Sequence, residues 1–352
     1  MDQTSDNPVT NILEAGISET DLKSAIERSG YPLQTVIGNA LRSEFRVQDE
    51  WSYIDRDTHD LRTIDILAQK PLYPYDNSNP RIRPSVNLLI ECKQSELPFI
   101  FFLTPEKPFV PQFPMIAGLG HDSFQITSDD DPSSWEFDAI RILGLEEHRF
   151  ITNPPYCYTL SKCTRAGKNI ELSGNETYNS LVLPIIKSLH HFKVLETPPT
   201  TAMYYDAHLT LGIAILDAPM IGVHVLEKSN QLTLLPWVRV VRLESSEEAS
   251  WWTKSNFSVV DFLHKDFFQT YITQHAVPYA NDFAALAIKH QQILASGKAF
   301  AAGMEKNSWD DIEARLQPRA IQSEVIRTRL IFRNISNFLF KRKSTKDETL
   351  DS

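Results

Sequence analysis

Two carboxylates and an ammonium interrupt runs that are otherwise apolar. Residues 63–68 read Thr-Ile-Asp-Ile-Leu-Ala, and residues 86–93 read Val-Asn-Leu-Leu-Ile-Glu-Cys-Lys. Both are rich in strand-favouring residues, and the Pro/Asn/Asp/Ser-rich stretch 71–84 between them reads as a connecting loop. Side chains alternate along a strand, so Val86, Leu88, Ile90 and Cys92 share one face while Glu91 and Lys93 share the other. On the partner strand Ile64, Ile66 and Ala68 lie opposite Asp65. Pairing the buried faces then gathers Asp65, Glu91 and Lys93 on one surface of the sheet. Carboxylate oxygens of this kind suit Mg²⁺ (or Mn²⁺), which keeps several waters and also takes phosphate oxygens. The matching chemistry is phosphodiester hydrolysis: the metal polarises the phosphate and acidifies a bound water. Lys93 would orient that water or offset the charge growing in the transition state. The bland alternative is a solvated Glu91–Lys93 edge pair with Asp65 as a charge near a turn. Three polar residues interrupting apolar strands in register favour the metal site.

The elements that must position this set lie just upstream. Ser18 followed by Glu19, Thr20 and Asp21 has the character of a capping box, and Leu22, Ala25 and Ile26 give the helix an apolar face. Gly30 is placed to close it. Pro32 suits the first turn of a second helix, where Leu33, Val36, Ile37, Ala40 and Leu41 follow a helical spacing. Phe45, Val47, Trp51 and Tyr53 alternate as on a strand, residues 55–60 form a polar turn, and residues 98–103 supply a further apolar strand.

This order carries a resemblance. A helix, a strand, Ile64-Asp65-Ile66, then Leu89-Ile90-Glu91-Cys92-Lys93 resembles the core of the PD-(D/E)xK, or restriction-endonuclease-like, nuclease superfamily. Gly30-Tyr31-Pro32-Leu33, residues 62–68 and residues 91–95 followed by Leu97-Pro98-Phe99 are similar to uncharacterised bacterial members of it. The resemblance covers residues 18–104. It implies an α/β fold with a restriction-endonuclease-like mixed sheet flanked by helices, followed by an α+β C-terminal half. It also implies Asp65 and Glu91 as metal ligands, the Cys92 carbonyl as a further oxygen ligand and Lys93 as catalytic. Where many such nucleases carry a glutamate on the first core helix, this chain has Gln34. Its amide can still orient a metal-bound water, at the loss of one negative charge. Glu44, on the stripe of Leu33, Ile37 and Ala40, is the candidate substitute.

Composition bounds the remaining options. The chain has 352 residues, 42% of them hydrophobic, enough for an elaborated domain or two smaller ones. Three cysteines (Cys92, Cys157 and Cys163) make neither a disulfide framework nor a zinc quartet, and buried thiols are the favoured reading even with His148 nearby. No run approaches a membrane span and no apolar leader opens the chain, so a cytoplasmic protein is expected. A net charge of −10 restricts any nucleic-acid contact to a local patch. The candidate patch is Arg327, Arg329, Arg333, Lys341, Arg342, Lys343 and Lys346, which either contacts a phosphate backbone or is a solvated helix end with a loose tail.

Residues 1–17 read as a flexible lead-in, 18–130 as the nuclease-like core, and 341–352 as a charged tail. Residues 131–340 read as an α+β region that either completes the core or stands as its own module. Within it, 121–135 reads as an exposed acidic loop and 178–192 as an amphipathic helix burying Leu181, Ile185, Ile186 and Leu189. His190 and His191 are placed at that helix's end, where imidazolium interacts well with the dipole. Residues 209–216, 220–225 and 232–241 read as a β-meander, and 259–272, 282–301 and most of 309–340 as helices. Asp206, His208, Asp217 and His224 are strand-end positions more readily than ligands, and Trp237, Trp251 and Trp252 are packing residues. The expected activity is that of a Mg²⁺-dependent DNA endonuclease, in genome defence or a mobile element, with a homo-oligomer left open. The alternative is a non-catalytic DNA-binding or protein-interaction subunit that kept the scaffold.

Overall fold

The computed structural model describes residues 2–73, 80–244, 256–304 and 311–318. The chain begins with α1 (Glu19–Arg28) and α2 (Tyr31–Leu41), then β1 (Arg46–Ile54), β2 (Leu61–Pro71), β3 (Ile82–Gln94) and β4 (Phe99–Leu103). Short strands β5 (Met115–Ala117), β6 (Phe124–Thr127) and β7 (Ser134–Phe137) precede the helical turns α3 (Ala139–Ile142) and α4 (Arg149–Thr152). Next come β8 (Tyr156–Ala166), β9 (Asn169–Ser173), α5 (Gly174–Thr177), a π-helical turn (Tyr178–Val182) and α6 (Leu183–Leu195). Strands β10 (Tyr205–Asp217), β11 (Met220–Val225), β12 (Asn230–Leu234), β13 (Trp237–Glu244) and β14 (Asn256–His264) follow. The last elements are α7 (Phe268–Thr270), α8 (Val277–Lys289), α9 (Gln291–Ser296), β15 (Lys298–Ala301), α10 (Ile312–Arg315) and β16 (Leu316–Pro318).

A large mixed sheet flanked by helices dominates, with strands in the order β1-β2-β3-β10-β14-β13-β8-β4-β11-β12. Strands β1, β2 and β3 pair antiparallel, and β10 lies parallel to β3 from Tyr205↔Ile82 to Asp217↔Gln94. The middle of the sheet is apolar on both faces, as strands covered on two sides require. On one face Val86, Leu88, Ile90 and Cys92 join Leu33, Ile37 and Leu41 of α2 and Tyr279, Ala280 and Phe283 of α8. On the other, Leu89, Leu67 and Ala214 pack with Ile185, Leu189 and Phe192 of α6. The approach of α6 is close because β10 carries Gly212 there: a Cβ would stand 2.6 Å from Ile185 Cγ2 and 2.9 Å from Leu189 Cδ1. Strands β16-β15-β6-β7 form a second, small sheet.

Several expectations need correction. Gly30 does not close α1; Ser29 does, and Gly30 is the N-cap of α2 with an ordinary helical φ of −69°. Ile64 does not share a face with Ile66 and Ala68 but packs with Trp51 and Tyr53 in the opposite core. Residues 121–135 are not simply a loop: they include β6 and the start of β7, and Gly303 N–H donates to Asp129 Oδ1 at 2.8 Å. Residues 209–241 form no meander, since β10 pairs with β3 and β14 whereas β11 pairs with β4 and β12. Leu235-Pro236 separates β12 from β13, because proline cannot donate within a ladder. The expected helix over 259–272 begins as β14, whose Val259, Val260 and Phe262 suit a strand buried on both faces. The expected helix over 282–301 is two helices closed by Gly297 at φ 70°, followed by β15. The expected helix over 178–192 is present and buries the named residues, but it runs on to Leu195, so His190 and His191 do not end it. His191 packs its ring against Trp51 and Tyr53. Most of the helix expected over 309–340 lies outside the described residues, as do Trp251 and Trp252.

Candidate active site

The sheet parts where the polar residues stand. The β2–β3 ladder runs from Pro71↔Ser85 to Ile66↔Ile90 and goes no further. Beyond that point the backbone amides of both strands lose their carbonyl partners and need others. Asp65 supplies one: its Oδ2 accepts the Cys92 N–H at 2.7 Å. Glu91 stands across from Asp65, and the Asp65 backbone N–H favours the charged form of its carboxyl. Asp65 thus caps β3 across the gap.

Lys93 lies two residues along the same face, its Nζ 3.7 Å from Glu91 Oε1. The Glu91 side chain is only 12% exposed, whereas that of Lys93 is 40% exposed, so the ammonium sits outside and the carboxylate inside. Burial pushes the Glu91 carboxyl up to about 8, with Asp65 adding repulsion and Lys93 only partly opposing it. Asp65 is raised as well, first by burial and then by Glu50, against the Cys92 N–H and Lys93. Two carboxyls therefore face one cation, and neither is fully compensated.

Cys92 points its thiol into the opposite core, where burial drives its pKa upward. Its carbonyl faces α2, 3.9 Å from where a Cβ on Gly30 would sit. Gln34 is buried on α2, and its Nε2 donates to Glu50 Oε1 at 2.9 Å and to the Asp65 carbonyl at 3.1 Å. Glu44 is no substitute for a helix acid: it lies beyond the end of α2 and pairs with Lys70 at 2.6 Å. Past Lys93, Ser95 and Glu96 line an open cavity of about 740 Å³ with Asp217, Pro219, His264 and Phe267, where β3, β10 and β14 end.

Sequence reading missed Glu50. It lies in β1 between the pairs Asp49↔Ile66 and Trp51↔Ile64, with φ 50°. An alternation rule cannot anticipate a left-handed residue inside a strand. The only available signal was the acidic pair Asp49-Glu50 ahead of Trp51. The three carboxylates do not meet at one point: among the described residues no three His, Cys, Asp or Glu side chains lie close enough to hold one ion directly.

Other candidates disperse. Asp206 pairs with Arg83, Asp217 with Lys265, and His208 with Ser85 and Glu196. Cys157 and Cys163 are buried free thiols, and His148 caps α4 and faces Asp282. Trp237 is a packing residue whose indole N–H donates to Asp261. Arg327, Arg329, Arg333, Lys341, Arg342, Lys343 and Lys346 lie outside the described residues. No helix among the described residues is long and apolar enough to cross a membrane. No family model, no curated protein and no solved structure matches the chain.

Proposed function

We propose that the protein is a metal-dependent nuclease that hydrolyses phosphodiester bonds of DNA, as the resemblance to the PD-(D/E)xK superfamily implies. One observation carries this reading. Asp65 and Glu91 stand largely buried across parted strands with a single ammonium beside them, and both carboxyls are pushed up by that arrangement. A divalent cation would relieve the repulsion and let both ionise. The donor set fits such an ion: hard carboxylate oxygens plus the Cys92 carbonyl, left without a ladder partner on the β2 side. Mg²⁺ or Mn²⁺ bound there would supply Lewis acidity and a water of lowered pKa. Asp65 and Glu91 would hold it, and Lys93, the more exposed of the three, would meet the phosphate and offset its charge. The open cavity where the parallel strands end leaves room for a substrate beside the site.

The non-catalytic reading is favoured by a different observation. Asp65 Oδ2 already accepts the Cys92 N–H, and no three metal-ligating side chains converge among the described residues. The two separate cleanly by experiment. Plasmid and single-stranded DNA are incubated with Mg²⁺, Mn²⁺ or EDTA, using the parent and the variants Asp65→Ala, Glu91→Ala and Lys93→Ala. The nuclease reading requires metal-dependent cleavage by the parent alone. Cleavage unaffected by all three substitutions refutes it.

A further inference from the structure

Gln34 occupies the helix slot where the resemblance implies a glutamate, so the site lacks an acid on α2. Its amide makes two contacts, both toward the site. Nε2 donates to Glu50 Oε1 at 2.9 Å and to the Asp65 carbonyl at 3.1 Å, joining β1 to β2. The side chain is more than nine-tenths buried. Glu50 is itself exposed, and its left-handed φ of 50° sets it off from its strand neighbours. Its charge reaches both Asp65 and Glu91.

We propose that Glu50 is the third acid of this site, and that Gln34 positions it. The proposal rests on the nuclease reading above. Glu50 does not touch the cation directly, consistent with the three carboxylates failing to meet at one point. Mg²⁺ and Mn²⁺ sites of this type keep several waters, and an outer carboxylate accepts hydrogen bonds from those waters. Gln34 then holds Glu50 in place through Nε2. The acid lost from α2 is regained from β1, one hydrogen bond further out.

The test is calorimetric titration of Mn²⁺ alone into the full chain, with thermal melting of each variant alongside. Outer-ring partners typically change metal affinity by about 10–100-fold. Glu50→Gln should weaken Mn²⁺ binding by about that factor with little change in melting temperature. The exchange Gln34→Glu with Glu50→Gln reverses the hydrogen bond between the two side chains, gives up the one to the Asp65 carbonyl, and keeps the net charge while moving the acid back to α2. It should recover most of the affinity that Glu50→Gln loses. Parent-like affinity in Glu50→Gln overturns the proposal and leaves the nuclease reading standing. An exchange variant as weak as Glu50→Gln alone overturns the positioning role of Gln34. A parent that binds no Mn²⁺, or an Asp65→Ala variant that binds it equally well, brings down the nuclease reading and this proposal together.

Discussion

Replacing Glu91 with glutamine should make the metal-free protein more stable while abolishing its chemistry. The carboxyl is pushed up to about 8 from an ordinary 4.5 by burial and by Asp65, so the folded state holds its proton more tightly than the unfolded chain does. The contribution of Glu91 is therefore fully present at or below pH 4.5 and is lost progressively as the pH rises through 8. Each pKa unit is worth about 1.4 kcal/mol, which puts the ceiling near 5 kcal/mol. The titration is shared with Asp65 and eased by Lys93 and by water at the parted strands, so about 2–3 kcal/mol is the expected loss. Glutamine is nearly isosteric with the protonated acid and does not titrate. Urea denaturation in EDTA should thus give near-equal midpoints at pH 4.5, with the variant pulling ahead as the pH reaches 9. Added Mg²⁺ should stabilise the parent far more than the variant, which keeps Asp65 but lacks the Glu91 carboxylate. A variant less stable than the parent at pH 9, or a difference independent of pH, would refute the argument.

Two other buried charges carry predictions of the opposite kind. Asp55 accepts from Lys187 at 2.7 Å and lies 2.8 Å from Arg62, and hydrogen bonding to Lys187 holds its carboxyl down at about 2 despite burial. Its contribution is present above the ordinary carboxylate range and fades as the pH falls toward 2. Asp55→Asn should cost about 1–2 kcal/mol at pH 7, reduced by the solvent reaching Arg62, and less at pH 3, read from denaturation midpoints. Arg239 is fully buried among four aromatic rings, bonded to Asp261 at 2.7 Å and to the Phe150 carbonyl at 2.6 Å. Arg239→Met leaves the Asp261 carboxylate uncompensated and should cost about 3–5 kcal/mol in the same measurement.

What the sequence revealed and what it hid divide along range and regularity. Val86, Leu88, Ile90 and Cys92 do share the buried face opposite Glu91, because alternation within one strand needs no distant information. The juxtaposition of Asp65 with Glu91 followed from pairing two neighbouring strands. Ile64 defeated the same rule because β1 is irregular at Glu50, opposite Asp65, and that irregularity also concealed Glu50. Residues 259–264 were misassigned because a short apolar run carries no periodicity that separates a buried strand from a helix. The seat of β10 between β3 and β14 was illegible for another reason: its partners are far away in sequence, and no local pattern names them.

That long-distance pairing has a price on the ribosome. The first three strands emerge with β3 exposed along its whole length, and the strand that covers it, β10, begins only at Tyr205. At about 5–20 residues per second, the intervening hundred or so residues leave that flank unprotected for roughly 5–20 s. A bare row of amides beside Val86, Leu88 and Ile90 is a template for intermolecular pairing. The newborn chain should therefore depend on a holding chaperone during that interval, and truncations ending before Tyr205 should precipitate rather than fold.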